Sequence, residues 1–483
     1  MPATSEDSLF FIPVEEVCHR PVVTCSPDIG LIEMANLMMA NNISGIVVEE
    51  NTKPVGIVSL RDLRNLIATM AGEIMTLTVR DVMKTSLITI CSTDYLFKAI
   101  FLMAKHNIHR LIVIDEFDRL TGVITDTDLL RIQTRSPLYL VQEIESADTI
   151  EQLRALGRKM TGMLHYAVKT NADAQSLIQL IAHFNDALTQ RLIHVLDRTL
   201  GVRLPAGAAY LSLGSEGRQE QTLRTDQDSA IVYRDDLSGE DIAEVRLFAE
   251  HLVSALERVG VPLCPGNMMA SNPEWCHSLS EWKELVDQWI SRPDPDATVH
   301  FGVFQDLRVL HGETAFEAEL RNHICECVRN NSIFLPSMAR NIVRFKPPIG
   351  MFGRFQVEKK GDQRGKLDLK KGGLFALTRG VSLIALEAGF MGGTTWSKLD
   401  KLHLLHLVSD HDLEIIRDAF TFLIKMRLNK QLIAMSSGKV VDNFVDPMVL
   451  MDRDKDLLRA AFKGVDTLLN ILKSRYQLDM MAR

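Results

Sequence analysis

The chain of 483 residues has no apolar run approaching the ~20 residues that span a bilayer, which argues against a membrane helix. It has no block of lysine and arginine: 54 basic against 62 acidic residues leave a formal charge of −8, so DNA is not an expected ligand. The acidic start, Met-Pro-Ala-Thr-Ser-Glu-Asp-Ser, lacks a secretory n-region. Its seven cysteines (Cys18, Cys25, Cys91, Cys264, Cys276, Cys325 and Cys327) form no Cys-x-x-Cys pair, so neither a zinc ribbon nor a disulfide framework is indicated. His323 lies near Cys325 and Cys327, but the helical pattern of that stretch favours a packed or solvated face over a metal cluster. A hydrophobic content of 46% with 24% charged residues predicts a folded, soluble protein, and with neither a secretory n-region nor a membrane-length apolar run a cytoplasmic location is expected. The length predicts three or four domains.

A repeat occupies the front of the chain. Thr24-Cys25-Ser26-Pro27-Asp28 returns as Ile90-Cys91-Ser92-Thr93-Asp94, and Gly56-Ile57-Val58-Ser59-Leu60-Arg61-Asp62 returns as Gly122-Val123-Ile124-Thr125-Asp126-Thr127-Asp128. In each copy an apolar-periodic helix (29–41, 95–106) and a short strand (45–48, 111–114) lie between the two motifs. Two such units are expected to stack on a shared face. Residues 8–135 resemble a tandem pair of CBS domains, also called a Bateman module. The resemblance implies an adenosine nucleotide held between the copies, with Ser59 and Asp62, and Thr125 and Asp128, contacting ribose. It also implies a homodimer formed through these domains. The plain alternative is that both aspartates serve as helix N-caps.

Residues 214–228 carry the most chemical information. Gly214-Ser215 follows the apolar run Ala208–Leu213, and Asp226-Gln227-Asp228 leads into the apolar run Ser229–Tyr233. A Gly/Ser turn offers free backbone N–H groups to phosphate oxygens. Carboxylates two apart on a strand leave the same face and repel unless a cation lies between them. Gly214, Ser215, Arg218, Glu220, Asp226 and Asp228 match the Gly-Ser…Asp-x-Asp pattern of the DNA polymerase β nucleotidyltransferase superfamily. The likeness is to its signal-transduction members that carry CBS domains, relatives of the uridylyltransferase that modifies the PII protein.

That resemblance implies binding of a nucleoside triphosphate at Gly214, Ser215, Arg218 and Glu220, with Mg²⁺ or Mn²⁺ on Asp226 and Asp228. It also implies a third carboxylate on a later strand. Residues 297–310 are rich in β-branched and aromatic side chains, and predict such a strand, with Asp306 as third metal ligand and general base. The alternative for Asp306 is a salt bridge to Arg308 or another base. The implied reaction joins a nucleotidyl group to an acceptor hydroxyl, a protein side chain being one candidate. A non-catalytic nucleotide-binding signalling protein, or a CBS-mediated assembly module, is the alternative.

Between 136 and 201 the pattern is helical and predicts a rigid bridge. The core is expected over 202–330, including a helix at 240–259 and the loop Cys264-Pro265-Gly266, where Cys264 lacks a histidine partner and is not a candidate nucleophile. Residues 331–483 resemble the family's substrate-binding domain and predict a helical bundle. Within it, Lys370 and Lys371 beside Gly372-Gly373 are candidate phosphate contacts. The fold expected is α/β plus α: tandem CBS domains, a helical bridge, a polymerase β-like core with a mixed sheet, and a C-terminal bundle. Because the sequence opens at the CBS repeat, cyclic-nucleotide control through a preceding domain is not implied.

Overall fold

A computed structural model describes residues 12–69, 76–132, 138–169, 173–223, 226–350, 353–437, 439 and 441–478. The chain forms two compact units: residues 1–142 with 169–172, and residues 143–168 with 173–483.

The first unit is built twice. One copy holds β1 (Thr24–Cys25), α1 (Leu31–Ala40), β2 (Gly45–Glu50), β3 (Lys53–Ser59) and α2 (Leu60–Thr69), followed by a single turn, α3 (Val79–Val82). The other holds β4 (Thr89–Cys91), α4 (Leu96–His106), β5 (Arg110–Ile114), β6 (Leu120–Thr125) and α5 (Asp126–Ile132). Each copy is a three-stranded sheet in which the first pairing is parallel and the second antiparallel. Connecting segments run across the copies. The stretch before β1 pairs with the second copy through Val14 N–H to Asp94 C=O and the His19–Val123 bridge, while Lys84 pairs with Ile57 of the first.

These crossings explain the glycines of the repeat. A Cβ on Gly56 would lie 2.5 Å from Met83 Sδ, and one on Gly122 would lie 2.6 Å from Cys18 Sγ, so each strand is bare where the crossing segment passes. Met34, Met38, Ile46, Val48 and Val58 form the buried core of the first copy.

The second unit begins with α6 (Leu138–Ser146), α7 (Ile150–Lys169) and α8 (Ala174–Leu200), of which α6 straddles the boundary at 142/143. Helix α8 is capped by the Asp173 side chain accepting from Ser176 N–H, and ends at Gly201 in the left-handed conformation. It buries Leu177, Ile181, Phe184, Leu188 and Leu192 within this unit, so this part of the predicted bridge is an integral wall of the unit.

A mixed four-stranded sheet follows, in the order β10 (Arg308–Gly312), β7 (Ala208–Ser212), β8 (Ser229–Tyr233), β9 (Cys276–Ser278). Only the β8–β9 pairing is parallel. Every residue of β7 and β8 is buried. Around the sheet lie α9 (Gly214–Gly217), α10 (Gly239–Val259), α11 (Leu279–Ser291), α12 (Pro295–Phe304) and α13 (Ala315–Arg329). Beyond α13 come helices, connecting loops and the two-residue strand pair β11 (Leu367–Asp368) and β12 (Phe444–Val445). Its helices are α14 (Phe334–Ile342), α15 (Phe375–Glu387), α16 (Thr395–Leu404), α17 (Asp410–Ser436) and α18 (Asp452–Arg475). Among the described residues, no helix is long and apolar enough to cross a membrane.

The strand expected over 297–310 is corrected by the structure. Asp294 caps α12 by accepting from Ala297 N–H, Pro295 sits in the first turn, and the helix runs to Phe304. The strand starts only at Arg308, so Asp306 lies in the intervening turn. The aromatic residues that suggested a strand are instead the buried side of a helix: Phe301 packs on Phe334, and Phe304 stacks on Trp282.

Candidate functional site

Strand β7 delivers the chain to Gly214, whose φ of +52° is a left-handed conformation natural to glycine. A Cβ there would stand 2.7 Å from Asp228 Oδ2, so the turn and Asp228 are in close approach. Ser215 follows, and its hydroxyl makes no hydrogen bond to another described residue. Helix α9 is a single turn and contributes little macrodipole.

Asp226-Gln227-Asp228 is extended and alternates in burial, with Gln227 buried between two partly exposed aspartates. Gln227 Nε2 donates inward to Val253 C=O at 3.2 Å and Val261 C=O at 3.0 Å. The two carboxylates therefore leave the opposite face. Neither is ion-paired to another described residue. Burial pushes the Asp228 carboxyl above its ordinary value and the Asp226 charge adds to this; a hydrogen bond from Cys264 and the charges of Lys370 and Arg379 oppose it. The Arg427 guanidinium, buried and donating to Asn443 Oδ1 at 2.7 Å, feels the charge of Asp226.

Asp306 is elsewhere in the network. Its Oδ2 accepts from Arg218 Nη1 at 2.5 Å and Arg379 Nη1 at 3.3 Å, and its Oδ1 accepts from Lys398 Nζ at 3.1 Å. Burial would raise this carboxyl, but Arg218, Lys398 and Arg379 outweigh it and hold it at about 2. Arg218 Nε also donates to Glu220 at 2.8 Å, and Glu220 accepts from the backbone N–H and, at 3.1 Å, the hydroxyl of Thr395. Lys398 Nζ donates to Ser382 Oγ at 2.8 Å. Three cations against two carboxylates leave this buried cluster with one positive charge in excess.

Three expectations change. Asp306 is not gathered with Asp226 and Asp228: among the described residues, their ligand atoms do not form a set within 4.8 Å of one another. A carboxylate held at about 2 by three cations is a weak proton acceptor, so the general-base role does not fit it either. Arg218 and Glu220 are 8% and 2% exposed and are spent on the ion cluster rather than presented to a phosphate. Arg308, the other partner considered for Asp306, instead pairs with Asp186 at 2.7 Å.

Lys370 and Lys371 are exposed at the start of a π-helical turn, Lys370–Leu374, and both backbone N–H groups donate to Asp368 Oδ1 at 2.9 Å. Lys370 reaches Asp228 electrostatically. Sequence reasoning passed over Arg379, Lys398 and Arg427. A signal existed for the first: Arg379 is the only cation in the largely apolar α15 sequence Phe-Ala-Leu-Thr-Arg-Gly-Val-Ser-Leu-Ile-Ala-Leu-Glu.

In the first unit the four candidate residues form two equivalent capping boxes. Asp62 Oδ2 accepts from Ser59 N–H at 2.9 Å and Ser59 Oγ at 2.5 Å; Asp128 Oδ2 accepts from Thr125 N–H at 2.9 Å and Thr125 Oγ1 at 2.5 Å. The other carboxylate oxygen meets Lys84 Nζ at 2.6 Å in the first copy and His19 Nε2 at 2.6 Å in the second.

Comparison with known families matches this arrangement segment by segment. Residues 14–69 and 79–135 match the CBS domain, residues 158–296 match "Putative nucleotidyltransferase DUF294", and residues 332–476 match "Putative nucleotidyltransferase substrate binding domain". The chain belongs to the CBS-bearing DUF294 family. Among curated proteins, MJ1232 of Methanocaldococcus jannaschii is 35% identical over 25% of this chain and 39% of its own length. MK0525 of Methanopyrus kandleri is 32% identical over 28% of this chain and 67% of its own. Inosine-5′-monophosphate dehydrogenase of M. jannaschii is 35% identical over 24% of this chain and 23% of its own.

Two solved structures are similar over a quarter of the chain. The CBS pair of MJ0100 in complex with 5′-methylthioadenosine and S-adenosyl-L-methionine is 24% identical, with a TM-score of 0.24, covering 25% of this chain and 95% of that one. PAE2072 from Pyrobaculum aerophilum complexed with AMP is 26% identical, with a TM-score of 0.23, covering 24% and 90%.

Proposed function

We propose that the second unit transfers a nucleotidyl group from a nucleoside triphosphate to an acceptor hydroxyl, releasing pyrophosphate, in the cytoplasm. The observation that carries this reading is the Asp226–Asp228 pair: two carboxylates on one face, without ion-pair partners among the described residues, against the left-handed Gly214 turn. Hard oxygen donors in this number suit Mg²⁺ or Mn²⁺, which commonly takes one or two protein carboxylates and fills its shell with phosphate oxygens and water. Such an ion would supply charge neutralisation and polarise the α-phosphate.

The chain's own residues do the rest. Gly214 and Ser215 offer a backbone N–H and an unengaged hydroxyl to the β- and γ-phosphates. Lys370, exposed and close enough to act on Asp228, adds positive charge. The acceptor oxygen forms a bond to the α-phosphorus as the bond to the β-phosphate oxygen breaks. The proton of the acceptor hydroxyl passes to solvent, since Asp306 is held low by its three cations. Asp306 acts as a positioning residue that holds Arg218, Arg379 and Lys398 together.

The CBS pair serves as the regulatory sensor for an adenosine nucleotide. Asp62 and Asp128 each keep one oxygen in a cap, while the other is met by a side chain more than half exposed, Lys84 at 63% and His19 at 61%. Those two side chains can swing out and leave an acceptor for ribose hydroxyls. Ile32, Met39, Leu60 and Ile67 on α1 and α2 remain exposed and support a dimer through this unit.

The deciding experiment incubates the full chain with Mg²⁺ and each labelled nucleoside triphosphate, with a cell lysate as source of acceptors, and reads pyrophosphate release and label transfer. Transfer that disappears in Asp228→Ala supports the proposal. Tight nucleotide binding with pyrophosphate release equal in wild type and Asp228→Ala leaves the non-catalytic binding protein as the answer.

A further inference from the structure

Away from the Asp226–Asp228 pair, three side chains of different chemistry converge between α11 and α13. His323 and Cys327 are four apart on α13, so one helical face carries both. Asp287 projects from α11 onto the same point. Asp287 Oδ1 lies 2.9 Å from His323 Nε2 and 3.0 Å from Cys327 Sγ, and Nε2 lies 3.4 Å from Sγ. The Lys283 carbonyl is 3.3 Å from the same Nε2. Among the described residues, this is the one group of three or more His, Cys, Asp or Glu whose ligand atoms all lie within 4.8 Å.

Without metal the three atoms share hydrogen bonds: Sγ–H donates to Oδ1, Nε2 lies in hydrogen-bond reach of Oδ1, and the 3.4 Å sulfur–nitrogen edge is a contact of the same kind. With bonds of about 2.0–2.3 Å to O, N and S, the ligand atoms of a tetrahedral zinc site stand roughly 3.3–3.6 Å apart: the 3.4 Å sulfur–nitrogen edge already fits, and the two edges to the exposed Asp287 side chain open by about 0.4–0.5 Å when an ion enters. Thiolate and imidazole select a borderline-soft ion over Mg²⁺. Asp287 is 54% exposed, so an ion and a fourth, exchangeable ligand have access from solvent.

We propose that Asp287, His323 and Cys327 form a zinc-class transition-metal site that staples α11 to α13, distinct from the Asp226–Asp228 pair. Without metal, burial and the neighbouring Asp287 charge push the Cys327 thiol up to about 12, so ion binding releases its proton to solvent.

The test uses the full chain. Metal-free protein is titrated with Co²⁺, and the thiolate-to-cobalt charge-transfer band is followed in the near ultraviolet; zinc stoichiometry is then measured after dialysis. Wild type is expected to show the band and to retain about one zinc ion per chain. Cys327→Ser is expected to lose the band, and His323→Ala and Asp287→Asn to bind at least about tenfold more weakly. Cys264→Ser and Cys325→Ser are controls that keep it, the first because Cys264 adjoins Asp228. Circular dichroism confirms that each variant is folded. A wild type with no charge-transfer band, or a band unchanged in folded Cys327→Ser, overturns the proposal.

Discussion

Arg218 Nη1 meets Asp306 Oδ2 at 2.5 Å across 88 residues of sequence, with 9% and 1% of the two side chains exposed. Around this contact Arg379 of α15 and Lys398 of α16 complete a shell on Asp306. The pair therefore joins the turn after β7 and the turn before β10 to two helices of the C-terminal region. Desolvating five charges is costly, and the cluster persists because each has opposite charges and hydrogen bonds around it.

Removing the central anion should be severe. Asp306→Ala leaves Arg379 and Lys398 without their carboxylate and Arg218 with Glu220 alone, and a loss of about 3–5 kcal/mol is expected from breaking such a cluster. Asp306→Asn keeps the shape and part of the hydrogen bonding and should cost less. The native Asp306 carboxyl lies at about 2 against an ordinary 3.8. A depressed value means its stabilisation is present above about 3.8 and is lost as pH falls toward about 2. That contribution is roughly 2 kcal/mol. Denaturant unfolding of wild type and Asp306→Asn across this window measures it; parallel curves would refute the assignment.

Glu216 should show the opposite sign. Burial, reinforced by Asp186, raises its carboxyl to about 8, against the opposing charge of Arg308. A raised value means the native state favours the protonated form. The Glu216 contribution to stability is then largest below the ordinary value of 4.5 and is lost as pH rises to about 8. Glu216→Gln keeps a neutral group in place and should flatten that slope. An unchanged slope in the variant would assign the titration to another group.

At the proposed transfer site, Asp226→Ala and Asp228→Ala should each lower nucleotidyl transfer by at least about 10²-fold, the scale of losing a preorganised charge-stabilising group. Neither breaks an ion pair among the described residues, so the thermal midpoint should stay near wild type or rise as repulsion is relieved. Lys370→Ala should mainly raise KM for the nucleotide. Steady-state kinetics and thermal scans on the same preparations separate these effects, and turnover retained in both aspartate variants would reject the site.

For the first unit, AMP or ATP at ~100 times its dissociation constant should add about 2.7 kcal/mol of stability. Asp62→Ala and Asp128→Ala should each cost about 1 kcal/mol without ligand, as lost caps. Together they should also abolish the increment due to the nucleotide. An increment that survives in the double variant places the nucleotide away from these carboxylates.

The repeat was readable because its determinants are local. Ser59 with Asp62, and Thr125 with Asp128, interact at a spacing of three residues, and such a capping box looks the same in sequence as in space. The adjacent Gly56 and Gly122 could be seen to recur, but their reason lay in Met83 and Cys18 passing overhead. The window around Asp306 was misread because aromatic and β-branched content outweighed a helix start that was present, Asp294 followed by Pro295.

The amino-acid order alone carried the fold class, tandem CBS domains with a mixed sheet and much helix, since this depends on periodicity and short spacings. Folding in three dimensions decided the partners of Asp306, Arg218 and Glu220, and brought Asp287 to His323 and Cys327. Arg218–Glu220 apart, those contacts join residues 36 to 175 positions apart. Their energy depends on burial and on which charges share a low-dielectric space, and neither is encoded at any one place along the chain.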